Sequence, residues 1–72
     1  MTLSFLDKKI SALTHFKKVI ELDPGNFEAH IYVGDIYRDQ AKRNDAERHY
    51  KEALRLDPGN ERAETGLKLL HE

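Results

Sequence analysis

The stretch from Phe27 to Asn60 reads FEAHIYVGDIYRDQAKRNDAERHYKEALRLDPGN, and it decides the fold of this 72-residue chain. Its last five residues, LDPGN, repeat the segment Leu22 to Asn26 after a shift of 34 positions. A fixed internal period of this length is typical of proteins built from stacked helix pairs. The residues that match at this shift are Ala12 with Ala46, His15 with His49, Phe16 with Tyr50, Lys17 with Lys51, and Val19 with Ala53.

Apolar residues recur at intervals of three and four along most of the chain, which predicts amphipathic helices. We expect helices over about residues 4–22 and 27–40. A third helix should follow a cap at Asn44 or Asp45, with Asn44 and Glu47 forming a capping box, and end near Leu56. The fourth helix should run from Glu61 to the end of the chain.

The two LDPGN segments carry the signals of a helix end and a new helix start. Because proline disfavours the helical conformation of the residue before it, the first helix should end near Leu22 or Asp23. Gly25 can adopt a positive φ, and Asn26 can cap the next helix with its side-chain oxygen. We therefore expect one turn geometry to be used twice.

The stretch from Phe27 to Asn60 resembles a tetratricopeptide repeat, whose pattern is W-x2-L-G-x2-Y, then A-x3-F, then P. The clear departure is His30, which stands in place of the tryptophan. The resemblance implies an all-α fold of antiparallel helix hairpins, a fragment of a right-handed α-solenoid. The residues that match the pattern are Val33, Gly34, Tyr37, Ala46, Tyr50 and Pro58.

In this family's arrangement, residues 1–72 form one domain with three parts. Residues 1–26 correspond to the second helix of a preceding repeat with an extension, residues 27–60 to a complete repeat, and residues 61–72 to a terminal or capping helix. Lys68 stands where the family has its glycine, which favours a terminal cap, although a cut through a longer array would look the same.

Gly34 is expected inside a helix, where glycine costs roughly 1 kcal/mol relative to alanine. We interpret it as a site of close approach between two helices. Ala46 and Ala53 would supply the small residues on the facing helix.

Composition excludes several classes of protein. The chain has no cysteine, which rules out disulfides and cysteine-based enzymes. Twelve basic residues nearly balance thirteen acidic ones, so the charge expected of a nucleic-acid or membrane-surface binder is missing. Without a signal peptide or a membrane-spanning segment in the sequence, the default is a cytoplasmic protein or a soluble piece of a longer chain.

Side chains that could carry chemistry are scattered. None of the four histidines lies three or four residues from another, the spacing that places two metal ligands on one helix face. No nucleophile elbow or glycine-rich phosphate loop surrounds the serines and threonines. We expect no metal, no cofactor and no enzymatic activity.

The resemblance implies a function in protein–protein interaction, as a scaffold or adaptor. Ligands of the family usually lie on the concave side, formed by the first helices of successive repeats, as extended peptides or short helices. The acidic residues Glu28 and Asp35 oppose a carboxylate there, so a partner with basic and apolar groups fits better. Plain solvent exposure of this stripe is the alternative. The positions implied are Glu28, Ile31, Asp35, Arg38, Asp39, Arg62, Thr65 and Leu69.

A rival hypothesis is self-association. Each repeat has two apolar faces and cannot bury both alone, so an uncovered side of the first helix could pair with a second copy, as a homodimer or domain-swapped pair. The residues expected at that contact are Leu3, Leu6, Ile10 and Leu13.

Overall fold

The computed structural model describes the backbone of residues 5–71 and the side chains of residues 11–71. Four helices follow one another in this range, and the described residues contain no strand. The predicted all-α fold of helix hairpins is therefore confirmed. The helices are α1 (Phe5–Leu22), α2 (Phe27–Asp39), α3 (Arg43–Leu56) and α4 (Glu61–Leu70).

Asparagine caps begin α2 and α4, as the sequence predicts. The side-chain oxygen of Asn26 accepts a hydrogen bond from the backbone N–H of Ala29 at 3.1 Å. Asn60 accepts the equivalent bond from Ala63, also at 3.1 Å. Each bond satisfies one of the free amides at a helix start, which fixes the residue where the helix begins.

The backbone of the two turns differs in one respect, which corrects the expectation of a single geometry used twice. Gly59 has a φ of 85°, whereas Gly25 lies outside the left-handed region. The caps are thus repeated along the chain, but the glycine conformation is not. Glycine is required by backbone conformation only in the second turn.

The start of α3 also corrects the sequence-based prediction. Lys42 is the N-cap residue and makes no side-chain capping bond, so Asn44 lies inside the first turn instead of at the cap. The physical reason is the end of α2, where the N–H of Lys42 already donates to the carbonyl of Tyr37 at 2.9 Å. This bond closes the turn before Asn44 is reached. Asp45 lies in the first turn of α3, where its charge favours the positive end of the helix dipole.

Ala41 adopts the left-handed conformation that ends α2, with a φ of 60°. Its N–H donates to the carbonyl of Arg38 at 3.0 Å, while Lys42 bonds to Tyr37, and these two bonds form a Schellman motif. In that motif the left-handed position is usually glycine, since a Cβ is disfavoured there by about 1–2 kcal/mol. Ala41 is therefore a strained residue in the turn between α2 and α3.

Replacing Ala41 with glycine is expected to stabilise the protein by about 1 kcal/mol, because relief of the strain exceeds the added freedom of the unfolded chain. Thermal unfolding followed by circular dichroism should show a rise of roughly 4–8 °C in Tm. Ser11→Gly, at an exposed position within α1, is the control and should lower Tm. An Ala41→Gly protein no more stable than the natural chain would contradict the strain at this turn.

The core lies along α2, which is contacted by each of the other three helices. From α1, the half-buried side chains of Leu13, Phe16 and Ile20 pack against it. The buried cluster itself consists of Ile31, Val33, Tyr37, Ala46, Tyr50, Ala53, Ala63 and Leu70.

Tyr50 lies between two glycines on neighbouring helices. A Cβ built on Gly34 of α2 would lie 2.9 Å from Cε1 of the Tyr50 ring. A Cβ on Gly66 of α4 would lie 2.5 Å from Cε1 and 2.8 Å from Cε2. The close approach predicted at Gly34 therefore exists, and the atoms nearest to a Cβ there belong to the Tyr50 ring. The equivalent role of Gly66 was not predicted.

Candidate functional site

An open groove of about 340 Å³ lies on the surface formed by α2 and α4. Five of the eight residues predicted on the concave side line this groove. The groove is lined by Asp35, Arg38, Glu61, Arg62, Thr65, Gly66 and Leu69. Leu69 has 45% of its surface exposed and is the apolar side chain of this lining.

The remaining three predicted residues do not line this groove. Glu28 and Asp39 are exposed on α2. Ile31 is only 1% exposed and belongs to the buried core, so its assignment to a partner-binding surface was wrong. The reason is that neighbouring helices contact α2 from more than one side, which covers positions that an isolated helix pair would expose.

Asp35 links the groove to the core. Its Oδ1 accepts a hydrogen bond from the hydroxyl of Tyr50. Arg38 approaches the same oxygen at 3.9 Å, and Arg62 approaches Oδ2 at 4.0 Å. Burial raises the pKa of Tyr50, and the bond to Asp35 raises it further, so the phenol stays protonated and remains a donor.

Arg62 is also positioned by an aromatic ring. Its guanidinium lies over the ring of Tyr32, 5.0 Å from the ring centroid. Tyr32 in turn stacks on Phe16 of α1, with 4.8 Å between ring centroids. A cation over an aromatic face is attracted by the ring quadrupole, so this stack holds one side of the groove in place.

A second polar contact joins α2 to α3 at His30, the residue that departs from the repeat pattern. His30 is buried, and its Nδ1 lies 3.1 Å from Nδ1 of His49. One ring donates its N–H to the lone pair of the other, so the contact survives only while at least one nitrogen is unprotonated. Histidine spacing within single helices does not reveal this pair, because the two residues lie on different helices.

The pair predicts a loss of stability in mild acid. Burial, followed by the charge of His30, lowers the pKa of His49 to about 4. In the unfolded chain a histidine has a pKa near 6.5, so between these values the unfolded state binds more protons. Stability is thus fully present above pH 6.5 and falls as the pH falls towards 4. Since His49 is only partly buried, screening by solvent reduces the effect to about 1 kcal/mol between pH 7 and pH 5.

Urea unfolding at pH 7 and pH 5 measures this loss, and His49→Gln should remove most of it. His15 is the control because it is the repeat equivalent of His49 but is exposed. His15→Gln should keep the pH dependence of the natural chain. Equal pH dependence in the His49→Gln and natural proteins would exclude the histidine pair as its source.

The residues proposed for self-association are only partly described. Leu3 lies outside the described residues, and so do the side chains of Leu6 and Ile10. Leu13 is half-buried and packs against the core of its own chain, so much of its surface is already occupied. Self-association through the other three leucine and isoleucine side chains stays a prediction.

Within residues 11–71, no three histidine, cysteine, aspartate or glutamate side chains lie close enough together to hold a metal ion. None of the described helices combines the length and the apolar character needed to span a bilayer.

Comparison with known proteins identifies the central helix pair. The family model described as tetratricopeptide repeat matches residues 27–60, which contain α2, α3 and the turn that follows them. A search of the curated proteins gave no match to the chain. The 34-residue internal period, the paired helices and the family match agree, and residues 27–60 are therefore a tetratricopeptide repeat.

Proposed function

We propose that the chain is a non-catalytic interaction module that binds a peptide or helix of a partner protein in the groove between α2 and α4. Tetratricopeptide repeats mediate interactions between proteins, and this supports the general class of function. The groove supports the finer proposal, because two helices that are separated in the sequence by α3 contribute side chains to one open surface. The module would act as a scaffold or adaptor.

The charges around the groove favour a partner with basic side chains. Asp35 is already engaged by the Tyr50 hydroxyl and by two arginines, so its charge is balanced within the chain. Beside it, Glu28 and Glu61 are exposed, and Glu28 interacts electrostatically with Arg62, so three carboxylates stand against the two arginines. Since opposite charges steer association and set specificity, this excess of carboxylates favours lysine or arginine on the partner.

The exposed side chain of Leu69 favours a partner that also offers an apolar side chain. It is nearly half exposed in a lining that otherwise consists mostly of polar and charged side chains. An apolar side chain of the partner that covers Leu69 would remove this surface from water, which is favourable by roughly 25 cal/mol per Å². This exposed leucine beside an excess of carboxylates is the observation that carries the proposal.

Fluorescence anisotropy with a labelled peptide that alternates arginine and leucine tests the proposal. The control peptide has glutamate in place of each arginine. We expect the basic peptide to bind several-fold more tightly, and we expect added salt to weaken it. Equal binding of the two peptides would contradict the proposed charge preference.

Charge-reversal variants test whether the basic peptide binds in the groove between α2 and α4. The double variant Glu28→Lys with Glu61→Lys should weaken binding of the basic peptide, whereas Glu21→Lys, on exposed α1 surface, should leave it unchanged. Asp35 is avoided because its replacement would remove the acceptor of the Tyr50 hydroxyl and mix stability with binding. Unchanged binding by the double variant would place the peptide elsewhere on the molecule.

A further inference from the structure

The α2–α3 contact has a counterpart at the two ends of the chain, because α4 corresponds to α2 and α1 corresponds to α3 in the 34-residue period. In α2, the positions covered by α3 include His30, Gly34 and Tyr37. The residues 34 positions later in α4 are Glu64, Lys68 and His71, and all three are exposed. Among the described residues, nothing covers this side of α4 as α3 covers α2.

The complementary half lies on α1, whose residues correspond to those of α3. Ala46, Tyr50 and Ala53 of α3 are fully buried between helices. Their equivalents at the same shift, Ala12, Phe16 and Val19, are only half-buried. We propose that α4 of one copy of this chain packs on α1 of a second copy, forming between them a helix pair with the geometry of α2 and α3.

A matched change of polarity supports this pairing. Within the chain, the hydroxyl of Tyr50 donates to Asp35. At the equivalent positions between copies, phenylalanine replaces the tyrosine at Phe16, and leucine replaces the aspartate at Leu69. Both polar partners are exchanged for apolar ones together, so neither copy would bury an unpaired hydroxyl or carboxylate. The contact would also cover the exposed surface of Leu69.

A second observation also supports the packing of α4 on α1: acidic and basic residues exchange places between the two helices. In the chain, His30 faces His49 and also interacts electrostatically with Glu52. The equivalent positions between copies place Glu64 opposite His15 and Lys18. These residues are exposed in the single chain, and Glu64 and Lys18 carry opposite charges.

Lys68 sets the strength of the contact. It occupies the position equivalent to Gly34, where a Cβ would meet the aromatic ring of the facing helix. Its side chain must therefore lie along Phe16 of the other copy, which keeps the two helices farther apart than α2 and α3. The association is weak for this reason. Because different surfaces meet, it is head-to-tail and adds copies along a line instead of closing a symmetric dimer.

Sedimentation velocity from micromolar to millimolar concentration tests the proposal without any peptide, so its outcome is independent of the proposed function. The natural chain should associate weakly, and Lys68→Gly should tighten the association by about tenfold, as removal of a steric block of roughly 1.4 kcal/mol would. Leu69→Asp should abolish it, and adding Phe16→Tyr to that variant should restore it by supplying a hydroxyl for the new carboxylate. Circular dichroism checks that each variant is folded.

A mixing experiment distinguishes the head-to-tail contact from a symmetric one. Leu69→Asp blocks the α4 side and leaves α1 free, while His15→Glu opposes Glu64 and blocks the α1 side. Each variant alone should be monomeric, and an equal mixture should form a one-to-one dimer. The proposal is overturned if the natural chain and Lys68→Gly are both monomeric throughout, if Leu69→Asp associates like the natural chain, or if the mixture stays monomeric.

Discussion

Replacing Tyr50 with alanine is expected to destabilise the protein by about 3–5 kcal/mol, the usual range for truncating a buried aromatic residue. The ring has no exposed surface and fills the space between Gly34 and Gly66, so alanine would leave a cavity where three helices meet. A domain of this length has a total stability of about 4–10 kcal/mol. The expected loss is therefore a large fraction of the total stability, and urea titration followed by circular dichroism would measure it.

Two further variants separate the parts of the Tyr50 side chain. Tyr50→Phe keeps the ring and removes the bond to Asp35, so we expect a smaller loss of about 1–2 kcal/mol. Tyr32→Ala removes a half-buried ring on the surface and should also have a smaller effect than Tyr50→Ala. A Tyr50→Ala protein that loses less than Tyr32→Ala would show that the core is centred elsewhere.

Replacing Gly66 with leucine is expected to destabilise the protein by about 2–3 kcal/mol, because the added side chain meets the ring of Tyr50. The ring cannot move aside easily, since Gly34 lies against it on α2 and Asp35 accepts a bond from its hydroxyl. Leucine is a better helix former than glycine by roughly 1 kcal/mol, and the steric cost exceeds this gain. Tm should fall by about 8–24 °C.

The loss of stability should depend on how closely each glycine approaches the Tyr50 ring. Gly34→Leu should also lower Tm markedly, but less than Gly66→Leu, because a Cβ at Gly34 approaches the ring less closely. Gly25 is the matched control, since a Cβ there would have its nearest neighbour at 3.9 Å and its φ is not left-handed. Gly25→Ala should be neutral or slightly stabilising. An equal loss at Gly25 and Gly66 would point to a general effect of removing glycine.

The sequence predicts most of the fold because local chemistry decides it. Proline after Leu22 and Leu56 ends two helices, and the asparagines at 26 and 60 begin the next two through side-chain bonds within a single turn. The period of 34 residues then relates one helix pair to its neighbours. These signals depend on residues a few positions apart, so they can be recognised without knowing the three-dimensional arrangement.

The parts that could not be predicted depend on contacts between helices. Gly66 matches Tyr32 in the period, so nothing in the repeat marks it as the second glycine against Tyr50. Ile31 satisfies the spacing of a surface stripe, yet it is covered by the core. His30 and His49 are distant in sequence and meet only when α2 packs on α3. Five groove residues were nevertheless identified, because residues on one helix face stay together when the helix is packed.

The Tyr50 ring, held between Gly34 and Gly66, joins α2, α3 and α4. Urea unfolding of Gly66→Ala in two backgrounds, with and without the Tyr50 ring, measures whether this ring occupies the space beside Gly66. With Tyr50 present, alanine meets Cε1 and Cε2 of the ring and should destabilise the protein. With Tyr50→Leu these distal ring atoms are gone, so the same change should stabilise the protein by up to about 1 kcal/mol through helix propensity. An effect of the same sign in both backgrounds would contradict the account.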